Sequence, residues 1–244
     1  MTLAAHSLSL QGRLTDVRAV FRPGEVTAIC GPNGAGKSTL LSCLAGLIRP
    51  DAGQVTLDGA EVLAMPPRRR AQALGFLPQT PELAWDVTVE VLVSLGRLPW
   101  PGGGGDAAIE AALAHMDLCA LRYRPVSRLS GGERARALMA RVLAGQPRWL
   151  LADEPLANLD LAHASTLIAR LADQARAGSG VVLVLHDLAQ AMNHADRVLV
   201  LEQGRVAADG PPAEALSQDV IARVWGVEAR WLGAQGTMAL ALPS

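Results

Sequence analysis

Short apolar runs alternating with helix-patterned segments predict an α/β layered fold with a mostly parallel sheet. Three observations carry this. Residues 26–30, 149–152, 181–185 and 198–201 are each short and nearly all apolar, as strands covered on both faces require. A glycine-rich turn joins the first of them directly to a helical stretch at 38–45. Between residues 80 and 147 strand-like runs are scarce, which predicts a helical insertion into the α/β core.

Taken in order, the strand at 26–30 leads through the turn into helix 38–45, for which Gly46 supplies a stop and Pro50 a break. Residues 54–57 then read as a strand closed by an Asp58-Gly59 turn. Within the insertion, 88–97, 106–116 and 133–143 read as helices, while Pro99, Pro101 and the glycines of 102–105 mark a flexible loop. Gln203-Gly204 reads as a hairpin turn, followed by a helix at 220–225 and an apolar strand candidate at 237–242. The expected organisation is a single domain over 1–244. Residues 1–79 and 148–244 form its core, and 80–147 form a helical subdomain.

Composition narrows the function. With 244 residues, 50% hydrophobic and 18% charged, the chain can bury a sizeable core. A formal net charge of −1 gives no global field for nucleic acid or anionic lipid. Aromatics at 3% leave little for base stacking, so no nucleic-acid partner is expected. No apolar run approaches the ~20 residues that span a bilayer. The N-terminus lacks the basic start and apolar stretch of a signal peptide. Membrane association is therefore expected only through a partner. Cys30, Cys43 and Cys119 show no close pairing and read as small buried hydrophobes in a reducing, cytosolic compartment. Arg68-Arg69-Arg70 reads as a solvated basic face.

Gly31-Pro32-Asn33-Gly34-Ala35-Gly36-Lys37-Ser38, with Thr39 next, fits the phosphate-loop pattern at every fixed position. Glycines let successive backbone N–H groups curl around a phosphate without side-chain clash. The helix that follows adds its N-terminal dipole to the same anion. Lys37 brings a compact charge for the outer phosphates, and Ser38 a hydroxyl for Mg²⁺. Lys37 is also the only lysine among 22 basic residues. An arginine fork cannot replace an ammonium in a tight backbone cradle, so a lysine found only here points to phosphate.

Asp153 and Glu154 end the apolar run at 149–152. Paired acids at a strand end also occur as a solvated edge or a helix cap. With a phosphate loop upstream, the chemistry favours Asp153 holding the Mg²⁺ shell and Glu154 polarising the attacking water.

Leu129-Ser130-Gly131-Gly132-Glu133 resembles the LSGGE-type signature of ABC ATPases. The other landmarks of that family follow its order along the chain. Gln79 resembles the Q-loop glutamine, Asn158-Leu159-Asp160 the D-loop, and His186 the switch histidine. The resemblance implies a RecA-like P-loop core with an antiparallel β subdomain, and a head-to-tail homodimer with two MgATP between the subunits. It assigns nucleotide contact to Asn33, Gly34, Ala35, Gly36, Lys37, Ser38 and Thr39. Ser130, Gly131, Gly132 and Asp160 would serve the partner's nucleotide. It makes Glu154 the general base, with His186, Lys37 and Gln79 completing the catalytic set, and Ser38, Gln79 and Asp153 the metal set. The adenine-stacking aromatic usual in the family is missing from residues 9–14, where Arg13 could lie over the purine instead. Arg134-Ala135-Arg136 stands where many relatives carry glutamine.

The run at 93–99, Leu-Gly-Arg-Leu-Pro at its core, resembles ATPases of iron-chelate, haem and cobalamin importers, as does the tail at 224–232. That resemblance implies two transmembrane permease subunits and, indirectly, a periplasmic binding protein. The chain would then sit at the cytoplasmic face of the inner membrane. An ABC ATPase of another transport system and a regulatory nucleotide-binding module stay open. A P-loop GTPase does not, because its Asn-Lys-x-Asp motif needs a second lysine.

Overall fold

A parallel sheet needs both faces covered, and this chain covers them with two different layers. The computed structural model describes residues 2–79, 86–102, 105–157 and 159–242. It opens with β1 (Leu3–Leu10), β2 (Leu14–Phe21) and β3 (Val26–Cys30), then α1 (Lys37–Leu44). Next come β4 (Ala52–Leu57), β5 (Ala60–Glu61), α2 (Pro67–Ala73) and β6 (Leu74–Leu77). A helical stretch follows with α3 (Val89–Ser94), α4 (Asp106–His115) and α5 (Gly131–Ala144). The chain returns to the sheet through β7 (Trp149–Asp153), α6 (Leu161–Arg176), β8 (Gly180–Val184), α7 (Leu188–His194), β9 (Arg197–Glu202) and β10 (Arg205–Gly210). It finishes with α8 (Pro212–Ala215), α9 (Gln218–Trp225) and the small ribbon β11 (Arg230–Leu232) with β12 (Ala239–Ala241).

The main sheet has six strands in the order β10-β9-β3-β8-β7-β6. Every pair in it is parallel except β9 with β10, the hairpin turning at Gln203-Gly204. Period two decides which layer each residue meets. Leu150, Ala152, Val181, Leu183, Val198 and Val200 face the core shared with α3, α4, α5, α6 and α9. Trp149, Leu151, Val182, Val184, Leu199 and Leu201 face the core shared with α1 and the antiparallel sheet β2-β1-β4-β5. Burying each such Val or Leu contributes roughly 1.5–3 kcal/mol, so the alternating apolar runs seat the strands on both sides at once.

β1 and β2 are not singled out by sequence pattern, and the register explains why. Their pairing shifts between Ala5 and Leu8 and again between Leu8 and Leu10, with Ser7 at φ 51. Each bulge resets the inside-outside phase, so Leu-Ala-Ala-His-Ser-Leu-Ser-Leu shows no clean alternation.

The 93–99 run ties the helical stretch together. Arg97 is only 8% exposed. Its Nη1 donates to Ala144 O (3.0 Å) and Gln146 Oε1 (3.2 Å), at the carboxyl end of α5 where a cation is favoured. The guanidinium lies 4.7 Å over Trp100, whose Nε1 donates to Gly145 O at 3.0 Å. Arg68 Nε and Gln72 Nε2, from α2, both donate to Pro99 O at 2.7 Å. Arg68 and Arg69 are exposed, as a solvated basic face requires, while Arg68 also links α2 to this run and Arg70 is half-buried. Cys30 and Cys43 are buried as expected, whereas Cys119 is exposed because the short helix it begins lies at the surface. Residues 80–85, 103, 104 and Asn158, which fall in the expected insertion, glycine loop and D-loop, lie outside the described residues. Among the described residues no helix is long and apolar enough to cross a membrane.

Gly180 begins β8 directly under Trp149. A Cβ there would sit 2.3 Å from the Trp149 ring, between two central strands. Gly180→Ala is expected to lower stability by roughly 1–3 kcal/mol, the usual cost of overpacking. A urea titration should show a lower midpoint with an unchanged slope.

Candidate functional site

The site forms at the carboxyl end of the parallel strands, where β3 passes into α1. Two glycines in that turn are sterically required. A Cβ on Gly31 would lie 2.2 Å from Leu201 O, and one on Gly36 would lie 2.6 Å from Arg13 O. Both also hold positive φ, 149 and 99 degrees. Gly36 caps α1 without a side-chain hydrogen bond, so the helix start keeps its amides for another acceptor.

Lys37, the first residue of α1, is 6% exposed and turns back over the loop. Its Nζ donates to Gly31 O (2.8 Å) and Pro32 O (2.9 Å). Burial lowers its pKa, opposed by the nearby charges of Glu154, Cys30 and Asp153. The ammonium is largely buried, and among the described residues its hydrogen-bond partners are carbonyls, which readies it for an anion. Cys30 beneath it is inert, its thiol pushed up to about 12 by burial.

β7 delivers the two acids. Asp153 is 5% exposed and has the Ser38 hydroxyl beside it. Its Oδ1 is buried with no partner among the described residues. Burial is the main cause of its raised pKa, reinforced by Glu154 and opposed by Ser38, Lys37 and His186. Glu154 sits at φ 50, a left-handed conformation unusual for a glutamate, with its N–H donating to Val184 O at 3.2 Å. His186, past the end of β8, places Nε2 at 2.5 Å from Glu154 Oε1. A carboxylate held by an imidazole over a buried ammonium is an arrangement suited to orienting water against a phosphate.

A cleft of about 450 Å³ gathers Asn33, Gly34, Ala35, Gly36, Lys37, Ser38, Thr39, Gln79, Glu154 and His186, with Arg13 at its wall. The structure therefore brings these expected residues together and seats Asp153 against Ser38. Ser130, Gly131, Gly132 and Asp160 do not line it. Ser130 instead caps α5 in a capping box. Its Oγ accepts from Glu133 N (3.2 Å), and the Glu133 carboxylate accepts from Ser130 N (2.8 Å). Asp160 caps α6 by accepting from His163 N at 2.8 Å. Both Asp160 carboxylate oxygens also lie 2.8 Å from His163 Nδ1. His163 is not among the residues that sequence reasoning selects, although its place three residues into a capped helix predicts contact with the cap.

The donor set suits Mg²⁺. An orphaned buried carboxylate oxygen beside a serine hydroxyl is a hard oxygen site. No cluster of three or more potential ligating His, Cys, Asp or Glu occurs among the described residues. A cation here would therefore complete its shell with water and phosphate, as Mg²⁺ does.

Residues 14–157 match the family model described as ABC transporter, more than half of the chain. The chain belongs to the ABC transporter family. It is an ATP-binding subunit of the ABC ATPase class, and ATP hydrolysis is its activity. It is 46% identical over 217 residues to the hemin import ATP-binding protein HmuV of Rhodococcus jostii, covering 87% of this chain and 74% of that protein. HmuV of Bordetella avium is 40% identical, with 94% of each chain covered. Among solved structures, CbiO1 of Clostridium perfringens, part of the ABC transporter complex CbiONQ, superposes with a TM-score of 0.79. That match is at 28% identity and covers 91% of this chain and 92% of that one.

Because Asp153 carries a raised pKa in the fold, the folded state takes up its proton at higher pH than the unfolded chain. The ionised carboxylate therefore costs stability above its folded pKa, and the penalty fades as pH falls through that value. Asp153→Asn keeps an acceptor for Ser38 and removes the charge. Without nucleotide it is expected to melt above the parent at pH 7 by calorimetry, with the gap narrowing towards pH 4.

Proposed function

We propose that this ATPase energises import of haemin or a related iron chelate, working as a head-to-tail homodimer beneath two permease subunits. The observation that carries the hydrolytic part is the Glu154–His186 pair set over the Lys37 cleft. The assignment of cargo rests on the HmuV relatives and on the 93–99 run. On this reading a periplasmic binding protein delivers the ligand, and the chain lies at the cytoplasmic face of the inner membrane through the permease.

The residues divide the work as their positions allow. Backbone amides of 33–39 cradle the phosphates, and Lys37 exchanges its carbonyl partners for the outer phosphate oxygens. Ser38, Asp153 and Gln79 would hold Mg²⁺, which supplies neutralisation of phosphate charge. Glu154 accepts the proton of the attacking water while His186 fixes the carboxylate and the γ-phosphate. Arg13 at the cleft wall would lie over the purine. Ser130, Gly131, Gly132 and Asp160 lie outside this cleft, with Ser130 and Gly131 exposed. They would meet the nucleotide of a second copy, so that ATP binding closes the dimer and hydrolysis reopens it. Gln79 would report nucleotide state to the helical subdomain, residues 80–147, that faces the permease.

Lys37→Ala and Lys37→Arg should fold normally and lose hydrolysis by roughly 10²–10³-fold, the scale of removing one preorganised charge contact. Wild-type turnover in either variant would refute the phosphate role. Glu154→Gln should still bind MgATP, form a stable dimer in light scattering, and turn over roughly 10²–10⁴-fold more slowly. Cargo is tested in a bacterium lacking its own haemin-import ATPase. The parent chain should restore growth on haemin as sole iron source and Lys37→Ala should not. Rescue on a ferric siderophore alone would move the cargo to that class.

A further inference from the structure

Gly204 does not line the cleft, yet its backbone meets the two segments that frame the cleft's phosphate end and its base end. It is buried in the turn between β9 and β10, at φ 77. Its N–H donates to Ala35 O (3.0 Å) in the phosphate loop, and its carbonyl accepts from Thr15 N (2.8 Å) near the start of β2. The main chain of the β1–β2 turn also lies hard against it. A Cβ built on Gly204 would sit 2.6 Å from Arg13 O and 3.1 Å from Leu14 Cα. Arg13 O meets Gly36 in the same way, 2.6 Å from a Cβ built there. The Arg13 carbonyl is therefore wedged between two glycines, and the gap it occupies exists because neither has a side chain.

The elements that meet at Gly204 are not equally held. The hairpin is fixed to the phosphate loop twice, through Gly204 N–H on Ala35 O and through Leu201 O packed against Gly31. β9 behind it is an interior strand of the main sheet. Gln11, Gly12 and Arg13, by contrast, form an exposed turn, and β2 is the edge strand of its own sheet. A side chain at 204 would therefore push the β1–β2 turn outward and leave the phosphate loop in place. Arg13 is the residue by which that turn reaches the cleft wall, so its distance from the loop follows Gly204. Cation–π attraction fades beyond about 6 Å from the ring centroid, so a small outward shift would part the guanidinium from a base.

We propose that Gly204 is a positioning residue for the base end of the nucleotide. Its bare backbone sets the gap between the β1–β2 turn and the phosphate loop, and with it the seat of Arg13 over the purine. This rests on the purine role given to Arg13 above and adds the residue that holds Arg13 at the right distance.

Steady-state ATPase assays with inorganic tripolyphosphate as competitor separate the two ends of the site. KM for ATP senses base and phosphates together, whereas Ki for tripolyphosphate senses the phosphates alone. Gly204→Ala should raise KM roughly three- to tenfold, the scale of one cation–π contact, with kcat and Ki unchanged. Thr15→Pro loosens the same turn without a clash, by removing the N–H that Gly204 O accepts. Proline is tolerated near the start of an edge strand, so this variant decides the matter if Gly204→Ala does not fold. It should raise KM in the same direction. Gly24→Ala carries comparable backbone strain, at φ 83 with open space around the new Cβ, and should keep the parental KM. Parental KM in Gly204→Ala, or in Thr15→Pro where Gly204→Ala is unfolded, would overturn the proposal. So would a Ki that rises in step with KM, which puts the displacement in the phosphate loop, or an equal rise in Gly24→Ala. Arg13→Ala tells this failure from that of the reading beneath it. Raised KM there beside parental KM in Gly204→Ala sinks the positioning role alone. Parental KM in Arg13→Ala sinks the purine contact and this inference with it.

Discussion

The close approach of the 31–36 turn to its neighbours' backbone is the contact on which the rest of the site depends. Gly31 abuts the Leu201 carbonyl at the end of β9, and Gly36 abuts the Arg13 carbonyl between β1 and β2. Gly204 N–H donates to Ala35 O at 3.0 Å, and Thr15 N–H donates to Gly204 O at 2.8 Å. The turn is thus clamped between the parallel sheet on one side and the antiparallel sheet on the other. Only glycine allows that closeness, and only that closeness aims the amides at one point.

Around this clamp the protein holds charges that burial disfavours. Lys37 and Asp153 are both nearly inaccessible, and burial pushes each towards its neutral form. Their present partners, loop carbonyls for one and a serine for the other, are only partial compensation. Glu154 adds a left-handed backbone that the fold must hold in place. Preorganised sites commonly give up stability in this way, because groups already desolvated need little reorganisation when the anion arrives.

The helical stretch works at the other end of the same logic. α5 runs 14 residues, roughly 21 Å, from the Ser130 capping box to the carbonyls gripped by Arg97 and Trp100. Arg68 and Gln72 hold Pro99 from α2, which leads straight into β6 and Gln79. The signature, the 93–99 run and the approach to Gln79 are therefore joined by direct hydrogen bonds and one rigid helix. Movement at either end of α5 has a covalent and hydrogen-bonded route to the other.

The sequence by itself determined four of the five parallel strands among the described residues, β6 with its Gly75 excepted, together with the phosphate loop and the order of the motifs. Strands buried on both faces must be short apolar runs, and a loop that cradles phosphate must be glycine-rich whatever surrounds it. Lys37 was legible for the same reason, as an ammonium where every other cation is arginine. β1 and β2 were not, because bulges scramble their alternation. Nor was the exposure of Cys119, which depends on which surface its short helix meets. Only the tertiary structure decided that Glu154 and His186, 32 residues apart, share a hydrogen bond, and that Asp153 keeps one oxygen unpaired. It also decided that His163 lies between Asp160 and Gly132. Those facts depend on how neighbouring strand ends and helix starts converge, and local pattern carries no information about distances between segments far apart in the chain.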